Sequence, residues 1–371
     1  METPVKTSRP RKEGTMYRKV KGTLLIDAKN PEKAEAGIKK AAETLRRGGL
    51  VAFPTETVYG LGASAFSGEG VKKIFRAKGR PPDNPLIVHL AQLDTLKDLA
   101  VNIPPQAWTL AARFWPGPLT LILPKSPRVP PEVTAGLDTV AVRMPLHPTA
   151  LALLRQAGLP LAAPSANLSG RPSPTTVEHV VEDLAGRVEI ILDGGPCLVG
   201  LESTVLDITG KKPVLLRPGA VTLEELQEVL GEVEVPPDLS YKDRAAPSPG
   251  LKYRHYAPRA PMFLVEGTRE EMVGKMKKIC QERRARGQKV GLLLSRENRE
   301  LFDGEVVEDL GPRNHPGEMA ARLFYALRRL DSLGVDYILA ETYEEKGIGL
   351  ALMNRLRKAA SGRVIKAPST R

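Results

Sequence analysis

Cysteine, histidine and aromatic residues are scarce in this chain, and no long apolar run occurs. Cys197 and Cys280 are the two cysteines in 371 residues. Thiols this far apart give no disulfide framework and point to a reducing compartment. Five histidines, none paired at metal-ligand spacing, argue against a structural zinc site. No apolar stretch approaches the ~20 residues that cross a bilayer, and the N-terminus lacks an apolar signal core. A soluble, cytoplasmic chain with no membrane-bound part is therefore expected. A G-x-x-x-x-G-K-[ST] phosphate loop is also missing. Gly60-Leu-Gly62-Ala-Ser-Ala65 spells one form of the dinucleotide fingerprint, but Pro54 breaks the strand before it. The acidic residue that should follow, Asp83, falls in a proline-rich loop.

What is present is an ordinary globular composition, 42% hydrophobic and 26% charged, at a length that favours two domains over one. The net charge of +12 suits nucleic acid, an acidic membrane surface or a polyanionic small molecule. Part of that excess lies in residues 1–21, which lack apolar periodicity and are expected to form a flexible basic tail.

Along the chain, Asn30-Pro31 has the form of a helix start, a side-chain cap followed by proline at the first helical position. Ala34, Ile38, Ala41 and Leu45 continue it at helical spacing until Gly48-Gly49. Strands are predicted at 50–53, 86–90, 119–123, 139–144, 159–163 and 188–192. Residues 203–208 and 214–217 are expected to form a hairpin. Capping boxes are expected at Thr175 with Glu178 and at Thr222 with Glu225. Strands that both follow helices and pair by hairpins predict a mixed α/β sheet. Residues 235–261 form a Pro-rich linker that nonetheless carries Leu251-Lys-Tyr-Arg-His-Tyr256, three rings and two cations suited to packing on something. From 262 onward, strands and helices alternate, as in a small doubly wound parallel domain.

Polar groups recur where these strands end. Thr55, Thr57 and Tyr59 follow the strand at 50–53, and each hydroxyl could simply satisfy a turn. Lys78 and Arg80 could complement a helix C-terminus, and His89 could be a satisfied core histidine. Arg143 is harder to explain so, because an arginine alternating onto a buried face needs an anionic partner or several hydrogen bonds. Pro164-Ser165-Ala166-Asn167 occupies the usual place for a binding loop. The bland readings would have to hold independently at each strand end, whereas one ligand site explains them together. Cations, hydroxyls and backbone amides without a nucleophile–base pair fit phosphoryl or nucleotidyl transfer. A module that binds structured RNA through its basic surface remains the alternative.

Phe53-Pro-Thr-Glu-Thr-Val-Tyr-Gly-Leu-Gly62, Lys78-Gly-Arg80, Asn84-Pro-Leu-Ile-Val-His89 and Phe114-Trp-Pro-Gly-Pro-Leu-Thr120 occur in this order. After them come Val142-Arg-Met-Pro145, Ala163-Pro-Ser-Ala-Asn-Leu-Ser-Gly170, Glu202-Ser-Thr-Val205, Leu216-Arg-Pro-Gly219 and Ser248-Pro-Gly-Leu-Lys-Tyr-Arg-His-Tyr-Ala-Pro258. The set resembles the long, two-domain form of the L-threonylcarbamoyladenylate synthases. That resemblance implies a YrdC-like mixed twisted sheet with surrounding helices over 22–234, the linker as a lid over 235–261, and a smaller Rossmann-like parallel α/β domain over 262–371. It implies a nucleotidyltransferase that makes L-threonylcarbamoyl-AMP and pyrophosphate from L-threonine, bicarbonate or CO2, and ATP with Mg2+. The product would pass to a separate transferase that modifies adenosine 37 of tRNA, so direct tRNA binding is not required. By position, Thr57, His89, Arg143, Ala163 and Ser203 resemble the threonine set. Lys78, Arg80, Asn84, Thr139, Ser165, Ser173, Arg217 and His255 resemble the ATP set. YrdC-like domains also serve hydrogenase maturation, but those chains carry acylphosphatase-like and zinc-finger segments that this length and cysteine pattern do not provide.

Overall fold

The computed structural model describes residues 17–236 and 256–367. The first sheet has eleven strands: β1 (Tyr17–Val20), β2 (Thr23–Asp27), β3 (Val51–Phe53), β4 (Gly60–Ser64), β5 (Ile87–His89), β6 (Leu119–Pro124), β7 (Thr139–Arg143), β8 (Leu161–Ala162), β9 (Ile190–Asp193), β10 (Thr204–Asp207) and β11 (Val214–Arg217). Their order is β1-β2-β9-β3-β4-β8-β5-β7-β6-β10-β11. Parallel pairs such as β5–β7 sit beside antiparallel ones such as β6–β7, giving the mixed sheet expected from the sequence. The hairpin of β10 and β11 forms as predicted, with a register irregularity at Val205/Leu206.

Both faces are covered because the helices present apolar stripes. Ile38, Ala41 and Leu45 of helix Glu35–Arg46 pack with Leu153, Leu154 and Ala157 of helix Pro148–Ala157 on one face. Ile74, Leu110 and Val180, from three further helices, belong to the core on the other. Burying a side chain of this size contributes about 1.5–3 kcal/mol, so the two layers fix the central strands firmly.

Several local expectations need correction. Asn30 does cap, accepting from the amides of Glu32 and Lys33 at 3.1 and 3.2 Å, but it caps a turn. Ala34, at φ −96° and ψ 9°, interrupts the path, and the regular helix starts at Glu35. The capping box at Thr175 does not form. The Thr175 carbonyl accepts from the Cys197 amide at 2.9 Å, a tertiary bond, and Thr176 flanks helix Val177–Leu184 without a side-chain cap. Thr222 and Glu225 do form theirs. The strand expected at 159–163 is reduced to the two residues of β8. Gly60-Leu-Gly62, the start of the fingerprint-like spelling, lies in β4, where a Cβ at Gly62 would stand 2.8 Å from the Phe53 ring. Close strand packing, not phosphate binding, requires that glycine. Strand β1 begins within the segment expected to be a tail.

The second sheet is entirely parallel: β12 (Met262–Glu266), β13 (Val290–Leu294), β14 (Val306–Asp309), β15 (Tyr337–Glu341) and β16 (Val364–Lys366), ordered β14-β13-β15-β12-β16. All of β13 and β15 is buried, which matches an apolar character broken only by Glu341 at the end of β15. Helix Arg269–Ala285 covers one face. Helices Pro316–Ser332 and Ile348–Ala359 cover the other and share a core cluster with Val58 and Leu201 of the first domain.

Candidate active site

Arg143 ends β7, directly beside His89 in the parallel pairing with β5. The period of two puts Ile87 and His89 on one face of the sheet, and both line one cleft. Thr57, His89, Arg143, Ala163 and Ser203 all line it, together with Arg80, Ser165 and Arg217. The five residues of the expected threonine set thus share one cavity.

In the turn after β3, the Thr55 and Thr57 hydroxyls lie 2.9 Å apart and make different further bonds. Thr55 Oγ1 donates to the Val58 carbonyl at 2.6 Å and accepts from the Thr57 and Val58 amides, each at 3.2 Å. Thr55 therefore builds the turn. Thr57 instead accepts from Arg143 Nη1 at 2.8 Å. Tyr59 is also structural at its hydroxyl, which donates to the Gly195 carbonyl at 2.6 Å.

The Arg143 guanidinium also donates from Nε to the Gly117 carbonyl at 3.2 Å. Its Nη2 lies 2.6 Å from Glu56 Oε1, with both side chains buried. No aligned hydrogen bond joins these two atoms despite the short separation. The contact is an ion pair with poor hydrogen-bond direction, a weaker arrangement than a forked pair. Glu56 was not anticipated from the sequence. Burial, and then the Arg143 charge, lowers the pKa of His89 to about 3. Its imidazole is neutral near pH 7, with Nδ1 donating to the Ile87 carbonyl at 3.2 Å.

Ser203 stands just before β10 and is held from two sides. Its Oγ lies 2.7 Å from Thr120 Oγ1 and accepts from Arg217 Nη2 at 3.1 Å. Arg217 Nε donates to the Ser203 carbonyl at 3.0 Å. Burial lowers the Arg217 pKa to about 10, leaving it a cation at neutrality.

The remaining ATP-set residues take varied places. Arg80 lines the cleft and donates to the Asn84 and Pro85 carbonyls at 3.2 and 3.4 Å. Lys78 is buried away from it, donating to the Ser165 carbonyl and, at 2.6 Å, to the Asn167 carbonyl. It anchors the 164–167 loop. Burial and then Arg80 hold the Lys78 pKa well below the usual ammonium range. Asn84 is fully buried, and neither amide atom has a hydrogen-bond partner among the described residues. Ser173 donates to Glu202 Oε1 at 2.5 Å. Thr139 begins β7, about 13 Å along the strand from Arg143, and does not line the cleft. His255 lies outside the described residues, but the neighbouring Tyr256 lines the cleft.

Glu202, another lining residue, carries a testable pH effect. Burial raises its pKa, yet Arg355 and Arg217 outweigh this and hold it below the ordinary carboxylate range. A depressed folded pKa gives stability that is complete above the unfolded value of about 4.3 and lost as pH falls through the folded one. Between pH 7 and pH 3, wild-type stability in urea is expected to fall more steeply than that of Glu202→Gln. Equal slopes would show that Glu202 contributes nothing to acid sensitivity.

Residues 43–219 match the family model described as "Telomere recombination", which groups Sua5, YciO and YrdC. Residues 221–361 match "Threonylcarbamoyl-AMP synthase, C-terminal domain". A threonylcarbamoyl-AMP synthase of Pyrococcus abyssi is 53% identical over 330 residues, covering 89% of this chain and 95% of that one. One of Bacillus subtilis is 52% identical over 330 residues, covering 89% and 94%. The crystal structure of P. abyssi Sua5 complexed with L-threonine superposes with a TM-score of 0.86 at 52% identity, covering 90% of this chain and 97% of that one. A two-domain match at this identity leaves one conclusion: this chain belongs to the threonylcarbamoyl-AMP synthase family.

Proposed function

We propose that the cleft holds L-threonine beside ATP and that the chain condenses them with bicarbonate or CO2 into L-threonylcarbamoyl-AMP, releasing pyrophosphate. The observation that carries this reading is the convergence of Arg143, Thr57, His89 and Ser203 on one cavity that Arg80 and Arg217 also line. Relatives that cover nearly all of their own length with this chain bear the name of that activity.

In this reading Arg143 binds the threonine α-carboxylate, for which a buried guanidinium is well suited. Thr57 and Ser203 orient the amino acid through their hydroxyls, Ala163 contributes its backbone, and neutral His89 offers a hydrogen bond without adding charge. The threonine nitrogen, carboxylated, supplies a carboxylate oxygen that attacks the α-phosphorus. The new O–P bond forms as the bond to the pyrophosphate oxygen breaks. No protein nucleophile is needed, so catalysis consists of alignment and stabilisation of phosphate charge. Arg80 and Arg217 meet that charge, Ser165 adds a polar contact and Lys78 fixes the 164–167 loop; Asn84, Ser173 and Thr139, which do not line the cleft, are given no contact to the nucleotide in this reading. His255, with the linker, closes over the nucleotide and protects the hydrolysable product from water.

Mg2+ enters with ATP in this reading. Among the described residues, no group of three His, Cys, Asp or Glu side chains could hold a metal ion. Glu202 is committed to Ser173 and Arg355. The described residues thus offer no cage of such side chains for the ion, and no step above depends on one. No described helix is long and apolar enough to cross a membrane. The product serves, in the cytoplasm, a separate transferase acting on tRNA adenosine 37. Pyrophosphate release from ATP is expected only with threonine and bicarbonate both present. Release that ignores threonine would overturn the assignment.

A further inference from the structure

Arg355 lies on helix Ile348–Ala359 of the second domain, but its guanidinium ends inside the first. The side chain is completely buried. Nε donates to Glu202 Oε2 at 3.1 Å, Nη2 to the Glu202 carbonyl at 3.2 Å, and Nη1 to the Pro218 carbonyl at 2.6 Å. One planar group therefore ties together the residue before Ser203 and the residue after Arg217. Those two neighbours hold each other through the bonds already described, and both line the cleft.

The rest of the domain contact reaches the same wall. Arg328, on helix Pro316–Ser332, donates to the Pro172 carbonyl at 2.7 and 3.1 Å and pairs with Asp183 at 2.7 Å. Pro172 precedes Ser173, the residue on the other oxygen of Glu202. At Gly200, φ is +70° and a Cβ would collide with the Ala321 backbone, so only glycine lets the domains approach there. Burying two guanidiniums is a poor way to gain stability, since desolvation offsets most of the Coulomb attraction. Planar, forked donors are, however, an effective way to fix where carbonyls and a carboxylate lie. Without Arg355, Glu202 would keep Arg217 and Lys358 among its cationic neighbours, and any shift of Arg217 toward it would draw the guanidinium away from Ser203.

We propose that Arg355 is a positioning residue for the active site: acting through Glu202 and the Pro218 carbonyl, it sets the placement of Ser203 and Arg217, so that the second domain completes the threonine side of the cleft. The proposal rests on the threonine reading of that cleft. It gives the second domain a part in substrate binding without any contact to substrate.

The test uses the full chain, with threonine binding measured by calorimetry well below each variant's melting temperature. Arg355→Met is expected to weaken threonine binding at least about tenfold, or about 1.4 kcal/mol, and Arg355→Lys to restore part of the loss. In a Glu202→Gln background, adding Arg355→Met should cost less than it does in the wild type, because part of its effect runs through the Glu202 carboxylate. A variant that melts earlier but binds threonine like the wild type would overturn the positioning role. So would losses at the two positions that simply multiply. If Arg355→Met does not fold, Arg355→Lys carries the same comparison. A wild-type chain that binds no threonine would overturn the cleft reading itself, a result distinct from wild-type binding that Arg355 does not influence.

Discussion

Glu56→Gln/Arg143→Ala is expected to give a folded protein whose threonine-dependent pyrophosphate release is lower by roughly 10^2- to 10^3-fold. That loss corresponds to about 3–4 kcal/mol for truncating one side of a buried, charged contact, at about 1.4 kcal/mol per tenfold. Arg143→Ala alone is the less informative variant. Glu56 lies 2.6 Å from the guanidinium and is buried, with no aligned donor to its carboxylate among the described residues. Removing one partner of such a pair costs about 3–5 kcal/mol of stability, against about 5–15 kcal/mol for a whole fold. Lost activity would then be confounded with lost structure. Neutralising Glu56 removes the stranded charge, and Glu56→Gln alone is the control. Steady-state pyrophosphate release and thermal melting, measured on all three proteins, separate the two effects. A double variant within threefold of the control, with an unchanged threonine requirement, would show that Arg143 does not anchor the substrate.

Ending the chain after Pro236 is expected to lower kcat/KM by about 10^2-fold or more. The loss combines several changes at one wall of the cleft. Val58 and Leu201 lose the apolar cluster they share with the second domain. Glu202 loses Arg355 and Asp183 loses Arg328, leaving two buried carboxylates with fewer partners. Each uncompensated buried charge costs several kcal/mol until water or a proton reaches it. The linker, with His255, also departs. Comparison with Arg355→Met apportions the result: a truncated chain much worse than the point variant assigns the excess to the linker and the remaining contacts. A fully active truncation would reduce everything after residue 236 to a tether.

The parts of this architecture visible in the sequence were those with local causes. Apolar runs marked β3, β7, β13 and β15. The hairpin of β10 and β11 followed from its turn, and Thr222 with Glu225 showed its cap. Arg143 was recognisable because a charge sat on an alternating apolar strand, and the threonine set followed from resemblance at motif positions that the fold brings to one cavity. What stayed hidden was decided at long range. The tertiary bond from Cys197 overrode a good capping box at Thr175. The close approach of the Phe53 ring, from a neighbouring strand, accounts for Gly62. Glu56 and Glu202 lay inside quoted motifs, but nothing in the spacing showed that each faces a buried arginine. Arg355 did leave a signal, three residues after Leu352 and four before Ala359, on the apolar stripe of its helix. A cation in that position needs an anion from elsewhere, and only the assembled domains show that the anion is Glu202.

The most direct test of the account is the identity of the product. The full-length chain, given ATP, Mg2+, L-threonine and 13C-bicarbonate, should form one adenylate by mass spectrometry. It should contain AMP, one threonine and one labelled carbon, with one pyrophosphate released per product. Formation of ADP and phosphate instead, or of an adenylate without the labelled carbon, would contradict the account.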